Sequence, residues 1–98
     1  MDRSRSEVAT PNASRYLVQL SRHWSHRFDV RFDETASHIP FDSGAVCRLE
    51  ARDGRLLIDL EAPEGELERM QGVVADHLNR FAFREGELAF DWRGADPA

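Results

Sequence analysis

The stretch AVCRLEARDGRLLIDLEA, residues 45–62, alternates apolar and polar side chains on either side of a central Asp53-Gly54. Period-two alternation is the pattern of a strand with one buried face. Asp-Gly between two such runs is a strong two-residue hairpin signal, and it predicts a type I′ turn with φ > 0 at both central residues. Folding about that turn sets Ala51 opposite Leu56, Leu49 opposite Ile58 and Cys47 opposite Leu60, all on one side. On the other side Arg48 falls opposite Asp59, a cross-strand ion pair worth about 0.2–1 kcal/mol. Apolar pattern and charge pairing agree on a single register.

Towards the N-terminus, Phe28, Val30 and Phe32 alternate with Asp29 and Arg31, which predicts a strand. A turn at Asp33-Glu34-Thr35 leads to Ser37–Phe41, a short strand whose Pro40 lacks an N–H and so suits an edge or an irregular position. Asp42-Ser43-Gly44 turns the chain into the hairpin. Further back, Ala13, Leu17, Leu20 and Trp24 recur at helical spacing, bordered by Tyr16 and Arg27. With Thr10 as N-cap and Pro11 in the first helical position, this helix is expected over Pro11–Arg27.

Towards the C-terminus, Pro63 opens a second helix with the stripe Leu67, Met70, Val74, Leu78 and Phe81, His77 on its border. Glu64, Glu66 and Glu68 suit the positive end of its dipole. Leu88, Phe90 and Trp92 then alternate as a last strand. The expected fold is α+β: a two-layer sandwich with a mostly antiparallel sheet of about five strands and two helices on one face, in the order α-β-β-β-β-α-β. Residues 10–93 make the single domain. Residues 1–9 are polar and expected as a disordered tail, and residues 94–98 as a loose one. Leu49, Ile58, Leu60, Leu17, Leu20, Trp24, Val74 and Leu78 should share one core, and Trp24, Phe81, Phe83, Phe90 and Trp92 should all face inward.

The chain has 98 residues, 41% hydrophobic and 32% charged, which is one small globular domain. Its net charge is −5 and every basic residue is arginine. That balance argues against nucleic acid, which requires clustered cations. No run approaches the about 20 apolar residues of a membrane span, and the start has no signal-type apolar segment. The single Cys47 cannot form an internal disulfide, which points to a reducing compartment. The expectation is a soluble cytoplasmic protein without a membrane partner.

Among chemistry-bearing residues, RHWSHRF at 22–28 stands out. His23 and His26 have the His-x-x-His spacing of helical metal ligands. On a helical wheel they share a flank with Tyr16 and Gln19. Two imidazoles do not close a zinc site, so His77 is the expected third ligand, with His38, Asp76 or Cys47 as alternatives. The same side chains, His23, His26, His77, Tyr16 and Gln19, would line a polar pocket between the helices. A half-buried structural role for His23 and His77 competes with both readings. Cys47, on an inward face, reads as core, because burial raises a thiol pKa. Phosphate loops, nucleophile elbows and Cys-x-x-Cys motifs are absent, so no catalysis is expected.

The segments His23-Trp24-x-His26, Ile39-Pro40-Phe41, Ala75-Asp76-His77-Leu78 and Arg80-Phe81-Ala82-Phe83-Arg84-Glu85 together resemble a family of small bacterial proteins, domain of unknown function 2218. The likeness runs from about Ala13 to Trp92. It implies a link to flavin-dependent siderophore-interacting reductases, beside or fused to which such domains occur. Relatives often carry cysteine where this chain has Ser21, so a metal site that used that cysteine would lack a ligand here. The expected function is a small binding or accessory module in iron or siderophore metabolism, with such a reductase as partner. Two alternatives stand beside it. One is a protein that binds a transition metal or haem through His23, His26 and His77, although the preferred reading has no cofactor. The other is a structural domain that forms a homodimer.

Overall fold

The computed structural model describes residues 1–94. Its elements run β1 (Asp2–Ala9), α1 (Ala13–Trp24), β2 (Arg31–Phe32), β3 (Ala36–Pro40), β4 (Val46–Arg52), β5 (Arg55–Ala62), α2 (Leu67–Phe81) and β6 (Arg93–Gly94). The strands form one sheet in the order β2-β3-β4-β5-β1-β6, with every neighbouring pair antiparallel. Helix α1 packs on β3, β4 and β5, and α2 on β5 and β1. The result is the expected two-layer α+β sandwich with both helices on one face, but with six strands rather than about five.

The added strand is β1, so residues 1–9 are not a tail. Asp2–Ala9 pairs along its whole length with Arg55–Ala62. Its inward residues are Ser4, Ser6 and Val8, all buried. Only Val8 is apolar, so the alternation carries no hydrophobic signal. The serine hydroxyls are satisfied by partners remote in sequence: Gln71 Nε2 donates to Ser4 Oγ at 2.9 Å, and the Asp91 amide to Ser6 Oγ at 3.1 Å. At the other end, Gly94 belongs to β6, and residues 95–98 of the expected loose tail lie outside the described residues.

The central hairpin has the expected register, with Leu49 opposite Ile58, Cys47 opposite Leu60 and Arg48 opposite Asp59. Its turn differs. Gly54 has φ +75°, whereas no described non-glycine residue has positive φ, so Asp53 stays out of the left-handed region and the turn is not type I′. The Thr10 amide donates to the Gly54 carbonyl at 3.0 Å, tying the turn to the end of β1. The ion pair also shifts. Arg48 reaches diagonally to Glu61 at 2.8 Å, because β1 brings Arg3 onto Asp59 in a two-pronged contact at 2.9 and 2.6 Å.

Other boundaries move for local reasons. Strand β3 is interior rather than at an edge; β2 pairs only with Ser37 and His38, so Pro40 lies past its reach and no ladder bond is lost. Helix α1 starts at Ala13 rather than Pro11, after the Thr10 hydroxyl takes the Asn12 amide at 3.1 Å, and it ends at Trp24 rather than Arg27. Helix α2 begins at Leu67, not Pro63, leaving Glu68 as the acidic residue of its first turn. Leu88, Phe90 and Trp92 do pack against the core, with the Phe90 and Trp92 rings stacked at 6.0 Å, but they form no strand. The eight core residues named from the sequence share one buried cluster. Phe83 does not join it and is exposed.

Candidate functional site

Two places carry concentrated polar chemistry, one between the helices and one on the bare face of the sheet. Between the helices, α1 sets His23 against His77 of α2, with ring centroids 5.1 Å apart. Trp24 lies 4.9 Å from the His77 ring, and Phe81 lies 6.2 Å from that of His23. His77 Nδ1 is 2.7 Å from the Val73 carbonyl oxygen, one turn back. A carbonyl only accepts, so the N–H of this contact is on Nδ1. His23 is exposed overall, but partial desolvation of its ring beside Trp24 and Phe81, then the neighbouring His77, Arg80 and His26, lower its pKa. His23 is therefore a neutral imidazole at neutral pH.

The remaining sequence candidates disperse. His26 sits in the turn beyond α1 and is exposed. Tyr16 is buried and its hydroxyl donates to Glu85 Oε1 at 2.6 Å, so it is committed to a different cluster. Gln19 is half-buried, and its Oε1 has no partner. His38 lies on the opposite face of the sheet, in register with Arg31 and Arg48. Asp76 is exposed, while Cys47 is fully buried with its thiol pushed up to about 12 by desolvation. Ser21 is buried and bonds Ser37 Oγ at 2.7 Å, facing the sheet. Among the described residues no three His, Cys, Asp or Glu side chains converge to hold a metal.

The second place was not picked out from the sequence. The sheet face away from the helices forms a shallow open depression. Strand register builds a row of side chains across all six strands: Arg31, His38, Arg48, Asp59, Arg5 and Arg93. Arg3, Arg52 and Arg55 flank it, so seven of the 13 arginines of the chain point out of this face. Four of the 18 carboxylates share it, Glu7, Glu50, Asp59 and Glu61, and Asp29 and Asp91 pair with the arginines at the two ends. Arg3 holds Asp59 on two nitrogens and drives its carboxyl below the usual range. Arg5 adds a longer contact at 3.3 Å. Alternation at 48, 52 and 55 hinted at such a face. Arg5 completed it from a segment with no strand signal, and Arg93 from just past the expected last strand.

No curated protein matches the chain. The NMR structure of PA4090 from Pseudomonas aeruginosa is similar, with a TM-score of 0.78 and 39% identity over 95% of this chain and 96% of that one. The model of an uncharacterised protein family conserved in bacteria, DUF2218, matches residues 5–93, a span that takes in most of β1 and reaches β6. The chain therefore belongs to the bacterial DUF2218 family.

Proposed function

We infer that this protein is a small cytoplasmic binding or accessory module with no catalytic chemistry of its own, working in iron or siderophore metabolism beside a flavin-dependent reductase. The observation that carries the binding reading is the uncovered sheet face. Both helices pack on one side of the sheet, and the other side is an open depression lined by charged side chains. An extended charged surface of this kind is suited to docking a partner rather than enclosing a small substrate. The metabolic setting rests on the family likeness. No described helix is long and apolar enough to cross a membrane, which accords with a module of this kind.

The test mixes the purified protein with a siderophore-interacting flavin reductase and follows binding by calorimetry and reductase turnover by absorbance. A complex that Arg5→Ser/Arg93→Ser weakens supports the reading. Absence of a complex together with unchanged turnover refutes the setting.

A second reading has its own support in the His23–His77 contact. Two neighbouring imidazoles are half of a zinc or iron site, and His26 lies three residues from His23. Zinc, ferric iron and haem titrated into the protein, into His23→Ala/His26→Ala and into His77→Ala decide it. Equal binding by all three proteins, or none by any, removes the site.

A further inference from the structure

The charge on the open sheet face says what kind of surface it fits. Each guanidinium has five N–H donors and no acceptor. Arg5, Arg48 and Arg55 each place one hydrogen bond on a carboxylate of the same face, at 3.3, 2.8 and 2.7 Å. Arg31 has only a long 3.7 Å contact to Asp29. The arginine side chains at the two sides of the row stand clear of the surface, with 81% of Arg31, 64% of Arg5 and 79% of Arg93 exposed. Arg5 and Arg93 are direct cross-strand neighbours on β1 and β6. Arg93 spends two nitrogens on Asp91 at 2.9 and 2.8 Å, yet with five donors on each guanidinium the face keeps unspent N–H groups at both sides and calls for acceptors such as carboxylates.

A second copy of this chain fits less well. Two sheet faces stacked on a centred two-fold axis set arginine against arginine at both ends of the row, whether the axis runs along the row or along the strands. A phosphate backbone or an anionic bilayer fits less well than a protein. Asp59 stands in the middle of the row and would meet that uniform negative charge. The chain as a whole carries −5, which opposes long-range attraction to a polyanion. A folded or extended protein segment can instead place carboxylates over the two arginine groups and leave Asp59 unopposed.

We propose that the uncovered sheet face docks an acidic protein segment, with carboxylates seated on Arg31 and Arg48 at one side and on Arg5 and Arg93 at the other. This rests on the binding-module reading and names its partner by chemistry.

The experiment is amide chemical-shift mapping of the full chain with a peptide carrying two pairs of glutamates spaced by neutral residues, with duplex DNA and with phosphatidylglycerol vesicles, at low and high salt. The expected result is a footprint on β1, β2, β4 and β6 with the spaced-glutamate peptide, weakened by salt. Arg5→Ser/Arg93→Ser and Arg31→Ser/Arg48→Ser should each reduce affinity about tenfold, while Arg80→Ser on the helical side leaves it unchanged. A footprint on the same face that is tighter with DNA or vesicles overturns the acidic-protein assignment but leaves the binding face standing. No footprint on this face with any of the three probes overturns both.

Discussion

Removing residues 1–9 should unfold the domain rather than trim it. Strand β1 lies between β5 and β6, so its loss strips β5 of a partner along eight residue pairs and leaves β6 with none. It also takes away the Arg3–Asp59 fork and the hydroxyl partners of Gln71 and Asp91. Each hydrogen bond lost is worth about 0.5–1.5 kcal/mol, against a total stability of about 5–15 kcal/mol for a domain of this class. Since a truncated chain can fail to express for other reasons, the single substitution Val8→Ala gives a graded measure. Val8 is fully buried among core residues. Removing the equivalent of two CH2 groups at about 0.8 kcal/mol each, and adding a cavity term, gives a loss of about 2–3 kcal/mol. The assay is urea unfolding followed by tryptophan fluorescence, in which buried Trp24 reports on the core. A truncated chain with the midpoint of the full chain, or a Val8→Ala loss below about 0.5 kcal/mol, would show that β1 is not part of the cooperative unit.

Three further outcomes are expected. Gly54→Ala should cost about 1–2 kcal/mol in a thermal melt, because its φ of +75° strains any Cβ although nothing lies within 4 Å of one; an unchanged melting temperature would mean that the turn rearranges freely. Tyr16→Phe should cost about 1 kcal/mol at neutral pH, at the low end for a charged acceptor because Glu85 is exposed. Hydrogen bonds from Tyr16, Thr10 and Asn12 lower the Glu85 pKa from its ordinary 4.5, so this contribution is present above that value and fades as pH falls through the lowered one. The difference between wild type and Tyr16→Phe should therefore shrink in acid, and a constant difference from neutral pH to pH 3 would contradict it. His23 works in the same direction at higher pH. Its lowered pKa means the unfolded chain takes a proton near the ordinary 6.5 before the folded one does, so stability declines as pH drops below that value. In His23→Ala this decline should be shallower in urea titrations between pH 7 and 5, and an equal slope would assign the effect elsewhere.

How much of this was legible in the sequence depended on how local the signal was. The 45–62 hairpin was readable because two strands joined by a two-residue turn fix each other's register, and six inward apolar residues agree with it. The core faces of α1 and α2 were readable because a 3.6-residue stripe needs no knowledge of what it packs against. The meeting of His23 and His77 followed from those two stripes once the helices lay side by side, but the dispersal of His26, Tyr16 and Gln19 did not. His26 left the flank because α1 stops at Trp24, and Tyr16 was claimed by Glu85, 69 positions away.

Tertiary structure alone decided β1 and, with it, the charged face. Ser4 and Ser6 point inward without an apolar signature, and they are tolerable there only because Gln71 and the Asp91 amide reach their hydroxyls. Strand β1 pairs with β5 across more than forty residues of chain, so no nearby turn announces it. Arginines at 5, 31, 48 and 93 look like ordinary solvated charges along the chain. They become one row because antiparallel registers between strands distant in sequence align them, and register of that kind is set by the packed core on the other face of the sheet.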